Sequence, residues 1–129
     1  MEYALVLPGA YLLGSIPWGL IAGRLRSGID VRRYGSGSTG MTNVLRTMGP
    51  RVAVLVLLAD VSKGVIAVLL ARLLSGEPLV EALAATLAVI GHNWPIYSGF
   101  RGGRGIATGV GGLTSLHPIS GAIALGVFF

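Results

Sequence analysis

Charge is what this sequence has least of. Only 12% of its 129 residues are Asp, Glu, Lys or Arg, and just five of these are acidic. With 53% hydrophobic residues and a mean hydropathy of +0.77, so charge-poor a chain is excluded from the ordinary soluble domains and belongs in a bilayer. Cysteine is absent, which excludes disulfides, thiolate nucleophiles and thiolate metal ligands and leaves the redox compartment open. Aromatic residues make up 7% and form no platform interleaved with the basic ones. The net charge of +5 therefore does not read as a nucleic-acid surface; membrane topology and anionic ligands account for it better. No repeat of fixed period is present.

What the chain does have is long uncharged runs. Tyr3 to Gly23 carries no charge and is long enough to cross a bilayer core at ~1.5 Å rise per residue. Glu2 stands where a basic n-region would be, and the arginines come afterwards, so a cleavable signal peptide is not expected. Within this run Gly14-Ser15-Ile16-Pro17 predicts a bend, because Pro17 cannot donate to a carbonyl of the preceding turn. Further spans are expected over 52–74, 79–98 and 106–129, the last with a break at His117-Pro118, where the histidine reads as a packed helix-break residue. Trp94 and Tyr97 suit the membrane interface.

Arg24 to Arg51 holds six arginines against Asp30 alone, and Arg101 and Arg104 lie in 99–105. This places the connections 24–51 and 99–105 in the cytoplasm and the start of the chain outside, together with Glu2, Glu77 and Glu81. The expectation is an all-α polytopic membrane protein, a single domain over 1–129 with four transmembrane helices.

Three polar stretches interrupt the apolar pattern. In Gly99-Phe100-Arg101-Gly102-Gly103-Arg104-Gly105 the glycines let successive backbone N–H groups converge on one point, an anion seat. A helix starting at Ile106 would aim its positive end at the same spot, and Arg101 and Arg104 add charge that forks onto phosphate oxygens. The alternative is a flexible turn whose arginines only fix topology. Tyr34-Gly35-Ser36-Gly37-Ser38-Thr39-Gly40 is a glycine and hydroxyl cluster of a kind linkers also show. It precedes a short helix expected over 42–48, which would bring Asn43 and Arg46 together at an i, i+3 spacing. Asp60 and Lys63 stand inside the second span, where each costs several kcal/mol unless paired or wet. Either they form a structural ion pair, or Lys63 reaches a polar cavity at the cytoplasmic side with Asp60 holding it.

Taken together, Gly14-Ser15-Ile16-Pro17, Gly28-Ile29-Asp30-Val31-Arg32 with Gly35-Ser36-Gly37, Thr42-Asn43-Val44-Leu45-Arg46, Asp60-Val61-Ser62-Lys63-Gly64 and the stretch from Gly91 to Gly109 run in order over nearly the whole chain. In this the chain resembles the bacterial acyl-phosphate:glycerol-3-phosphate acyltransferases of the PlsY type. The resemblance implies a seven-helix fold, of which four spans are present here, in the bacterial inner membrane with the amino end outside. It implies transfer of a fatty acyl group from an acyl phosphate to the sn-1 hydroxyl of glycerol 3-phosphate, giving lysophosphatidic acid for phospholipid synthesis. Ser36 and Arg46 fall at the essential serine and arginine of the first motif, and Gly99, Gly102, Gly103 and Gly105 in the glycine-rich phosphate loop. Asn43, Asp60, Lys63 and His92 also fall on motif positions. The chain departs from the family pattern at Ser38 (usually asparagine), Met41 (alanine), Ser62 (leucine) and Arg104 (lysine). It stops before the family's third motif, so the N-terminal part of a longer enzyme, or a diverged relative, is expected.

On this reading Arg46, Lys63, Arg101 and Arg104 hold the phosphates, with the backbone of Gly102, Gly103 and Gly105 completing the seat. Ser36 and Asn43 orient substrate or steady the developing oxyanion, with Asp60 and Ser38 in support. The attacking hydroxyl loses its proton to His92 or to a phosphate oxygen of the donor, the latter preferred because no acidic partner for His92 is evident nearby. An acyl phosphate is already activated, so positioning and electrostatics do most of the work, and no metal or cofactor is expected. The partners implied are the two substrates, membrane lipid and the soluble enzyme that makes the acyl phosphate, with no nucleic acid. Two readings of other classes stand beside this one. A small anion channel or transporter is suggested by the intramembrane charges and broken helices, and a catalytically inactive membrane relative by Ser38 and the missing third motif.

Overall fold

The first uncharged run folds as two helices. α1 (Tyr3–Gly14) closes with Ser15 donating to the Tyr11 carbonyl at 2.9 Å, and α2 (Trp18–Ser27) opens where Ile21 donates to the Pro17 carbonyl at 2.9 Å. Pro17 has no N–H to carry the ladder across. The computed structural model describes residues 3–128; Glu2, expected outside the membrane, and Phe129, at the end of the expected fourth span, lie outside the described residues. α2 ends at Gly28, whose φ of 63° is left-handed and lets the chain turn back on itself.

A 3₁₀ turn at Val31–Arg33 and the short helix α3 (Met41–Met48) follow, then α4 (Pro50–Leu74) and α5 (Pro78–Asn93), each starting at a proline whose missing N–H costs nothing at a first turn. A second 3₁₀ turn at Ile96–Ser98 leads through the glycine-rich loop to α6 (Ile106–Leu116) and α7 (Pro118–Phe128). Among the described residues there is no strand.

Among the described residues, three helical stretches are long and apolar enough to cross a membrane: Ala4–Ser27, Pro50–Leu74 and Pro78–Ser98. The fourth apolar segment is divided. Pro118 cannot donate and pushes His117 into an extended conformation with φ of −152°, so neither α6 nor α7 spans alone.

α4 packs against α1, α2, α3, α5 and α6, and α1 against α5. The interior of these contacts is small: Ala67, Ala71, Ala84 and Ala88 are buried, while Leu5, Leu55, Leu58 and Leu73 face outward. That is the packing of helices in lipid, where small residues let backbones approach and large ones meet the acyl chains. At the α4/α6 contact a Cβ on Gly64 would run into the Thr108 carbonyl, and one on Gly111 into that of Val61.

The first polar connection is also folded. Val31 and Val44 are fully buried with Val52, Ala53 and Val56 at the start of α4, and Met41 and Met48 pack against them. This apolar plug seats the hydroxyl-rich segment on the bundle, which a linker would not do.

Candidate functional site

Asn43 organises the first polar connection. Its side chain is buried, and its Nδ2 donates to the carbonyls of Val31 (3.1 Å), Tyr34 (3.0 Å) and Ser38 (2.8 Å). Its Oδ1 accepts from the backbone N–H of Ser36 at 3.0 Å. Both N–H donors of the amide, and one lone pair of its oxygen, are spent on the loop. The expected direct part for Asn43 in steadying an oxyanion is corrected accordingly: it holds Ser36 in place. The Ser38 hydroxyl accepts from the Gly40 N–H at 3.0 Å and shapes the same turn, while Ser36 stays exposed.

The second connection is built differently from its reading as an N–H nest. The N–H of Gly102 donates to the Asn93 carbonyl and that of Gly103 to the His92 carbonyl, both at 3.1 Å. Neither is left for an anion, which corrects the expected role of these two glycines. They serve close approach: a Cβ on Gly102 would strike the His92 carbonyl, and one on Gly103 the His92 ring. The loop is thus laid onto the C-terminal end of α5, with Phe100 taking a left-handed φ of 62° as its N–H reaches the Pro95 carbonyl at 2.8 Å. Beyond it Gly105, φ 77°, starts α6, whose first N–H groups have no partner within the helix. These remain for an anion, together with the positive end of the dipole.

Lys63 lies about 20 Å along α4, deep in the bundle and 1% exposed. Its ammonium donates to the carbonyls of Gly14 (2.9 Å) and Ile16 (3.0 Å), at the break between α1 and α2, and meets Nδ1 of His92 at 2.8 Å. Asp60 Oδ1 stands 3.2 Å from it. The expectation that Lys63 touches a substrate phosphate is corrected, since its three protons have protein acceptors. Asp60 is 3.7 Å from His92 Nδ1, the acidic neighbour that the sequence did not reveal. Neither carboxylate oxygen is hydrogen-bonded, and the Asp60 carbonyl accepts from the buried Thr108 hydroxyl at 2.9 Å, tying α4 to α6.

These pieces enclose one cavity of about 400 Å³. Ser36, Asn43 and Arg46 line it from the first connection, Asp60 from α4, His92 from α5, and Arg104 to Ala107 from the start of α6. Neither Arg46 nor Arg104 forms an ion pair among the described residues. Arg101 is exposed and does not line the cavity, so only one of the loop's two arginines is brought to it.

The two connections are clasped by a residue that sequence reasoning gave no role. Arg32 forks onto Asp30, with Nε to Oδ1 at 3.0 Å and Nη2 to Oδ2 at 2.9 Å, and its Nη1 donates to the Ser98 carbonyl at 2.6 Å. The Arg32 guanidinium holds the Asp30 carboxyl down at about 2. The signal available in advance was the Asp-x-Arg spacing at the start of the loop; its partner, a backbone carbonyl 66 residues away, left no trace in residue types.

The family model for glycerol-3-phosphate acyltransferase matches residues 4–129. Glycerol-3-phosphate acyltransferase 2 of Moorella thermoacetica is 49% identical over 118 residues, covering 92% of this chain and 60% of the relative. The glycerol-3-phosphate acyltransferase of Halalkalibacterium halodurans is 48% identical over 122 residues, 93% of this chain and 59% of the relative. The crystal structure of PlsY (YgiH), an integral membrane glycerol 3-phosphate acyltransferase, in its glycerol 3-phosphate form superposes with a TM-score of 0.87 at 36% identity. That match covers 99% of this chain and 62% of the crystallised one. The lysophosphatidic acid form gives 0.83 at 35% identity. The chain spans about 60% of the length of these relatives.

Proposed function

This chain belongs to the glycerol-3-phosphate acyltransferase family, and from that premise we propose that its protein transfers an acyl group from an acyl phosphate to the sn-1 hydroxyl of glycerol 3-phosphate, forming lysophosphatidic acid. The observation that carries the reading is the single cavity lined by Arg46, Arg104 and the start of α6, cations and N–H donors converging from two separate connections. Two phosphoryl groups must be balanced at once in this reaction, and bidentate guanidinium contacts suit them. Ser36 lies on the same wall and orients the acceptor. Attack of the hydroxyl oxygen on the acyl carbon forms the ester as the single bond from that carbon to the bridging phosphate oxygen breaks, and the proton goes to an oxygen of the departing phosphate. No covalent enzyme intermediate is needed, so positioning and electrostatic stabilisation carry the rate.

The loops that form the cavity are arginine-rich, which supports a cytoplasmic face in a bacterial inner membrane. That is also where a soluble enzyme making acyl phosphate would deliver it. The test uses the full-length protein with labelled glycerol 3-phosphate and palmitoyl phosphate. Wild type forms labelled lysophosphatidic acid, and Arg46→Ala lowers kcat/KM by about 10- to 150-fold, the loss of one charge-assisted hydrogen-bonding group. A wild-type protein that forms no ester, or an Arg46→Ala variant with unchanged kcat/KM, contradicts the proposal.

A further inference from the structure

We propose that Lys63 is a positioning residue that fixes His92 with its proton on Nε2, so that His92 acts on the substrate as a hydrogen-bond donor to a phosphate oxygen and not as a base. The inference rests on the cavity's proposed role as a phosphate site, and it names what one wall of that site does.

The Lys63 ammonium has three hydrogen-bond partners, the Gly14 carbonyl at 2.9 Å, the Ile16 carbonyl at 3.0 Å and the His92 ring at 2.8 Å, beside its longer ion-pair contact of 3.2 Å with Asp60 Oδ1. A carbonyl can only accept, so two of the ammonium's three protons go to the backbone and the third points at Nδ1. An ammonium has no lone pair to offer. Nδ1 must therefore accept, and carries no proton of its own. The proton of the neutral ring then sits on Nε2.

The fold supplies each part of this arrangement. The two carbonyls lie where Pro17 interrupts the ladder between α1 and α2: that of Gly14 ends α1, where the helix dipole favours a cation, and that of Ile16, in the connection, also accepts from the Trp18 N–H at 3.1 Å. Asp60 Oδ1, 3.2 Å from Nζ, adds the balancing charge inside the bundle. On the far side of the ring Nε2 meets no hydrogen-bond partner among the described residues, and His92 lines the cavity. Gly103 passes next to Nε2, where a Cβ would collide with it. A histidine whose Nδ1 is occupied and whose Nε2 already bears a proton has no site to receive another from the acceptor hydroxyl. Through ester formation and loss of phosphate it keeps its proton and donates a hydrogen bond, while the hydroxyl proton leaves on phosphate.

The test is ¹⁵N NMR of the full-length protein labelled at histidine, with the His92 signals assigned by their loss in His92→Gln. The expected spectrum has a protonated Nε2 and an unprotonated Nδ1, and the Nε2 signal moves on titration with inorganic phosphate. In Lys63→Met the signals shift toward a mixture of the two tautomers. A proton on Nδ1 in wild type, an Nε2 signal indifferent to saturating phosphate, or an unchanged tautomer in a folded Lys63→Met protein would overturn the proposal. Should Lys63→Met fail to fold, the wild-type spectrum and its phosphate titration still decide it. None of these readouts needs acyl transfer, so a failure here is distinguishable from a failure of the proposed reaction.

Discussion

Asn43 sits in a glycine and hydroxyl-rich segment where a reader looking for chemistry assigns it to substrate, yet its amide is the internal frame of the loop. Residue identity announces a hydrogen-bonding group without saying whether backbone or ligand will use it. Asn43→Ala would leave the Ser38 carbonyl and the Ser36 N–H without a partner and take a second donor from the Val31 and Tyr34 carbonyls, which keep the Tyr34 and Gly37 N–H groups, a loss of about 2–4 kcal/mol. The expected outcome is a lower unfolding temperature in detergent, with weakened phosphate binding secondary to it. Lys63 teaches a related lesson. Its pairing with Asp60 was legible from the i, i+3 spacing, but its other partners were not, because two are backbone carbonyls 49 and 47 residues earlier in the chain. Asp30 carries a prediction about pH. Its folded value of about 2 lies below the ordinary 3.8, so its ion pair with Arg32 contributes stability that is fully present above the unfolded value and lost as pH falls through the folded one. Wild type should therefore exceed Asp30→Asn in thermal stability at pH 5 and converge with it near pH 2; a gap that persisted at that acidity would speak against the clasp.

At the level of elements, what the sequence states most clearly is where helices begin and where charge is absent. Prolines at Pro50 and Pro78 and the uncharged runs locate α4 and α5 well, and the break at Pro17 was foreseeable from its missing N–H. The fourth apolar run was legible both as apolar and as broken at His117-Pro118: Pro118 cannot donate, and His117 takes an extended conformation while its own N–H still reaches the Leu113 carbonyl at 2.8 Å. The glycine-rich loop was legible as a polar interruption after α5, and the use of its N–H groups was not. Glycine's openness predicts free N–H groups equally well as close contact, and only the distance to the end of α5 separates the two. Close contact matters elsewhere too. Gly111→Ala would press a Cβ onto the Val61 carbonyl at the α4/α6 contact, costing about 1–3 kcal/mol in overpacking. Because α6 brings its own N-terminus to the cavity, with Arg104 in the loop just before it, the variant should lose stability and phosphate affinity together, whereas Gly126→Ala, with open space around it, should lose neither.

For the molecule as a whole, helices packed through small residues create a rigid frame in lipid, and the two polar connections are fastened to it at one end. The valine plug under the first connection, the Arg32 bridge to Ser98 and the seating of Gly102 and Gly103 on α5 each bring distant parts of the sequence to the same 400 Å³ of space. Of the arginines in these connections, only Arg46 and Arg104 line it. Calorimetric titration of the full-length protein with glycerol 3-phosphate, comparing Arg46→Ala, Arg104→Ala and Arg101→Ala, tests that geometry most directly. Arg46→Ala and Arg104→Ala should each raise Kd by about tenfold or more, the loss of a charge-assisted contact, and Arg101→Ala should leave it unchanged. A Kd raised by Arg101→Ala alone, with Arg46→Ala and Arg104→Ala binding as tightly as wild type, would contradict the single enclosed anion site.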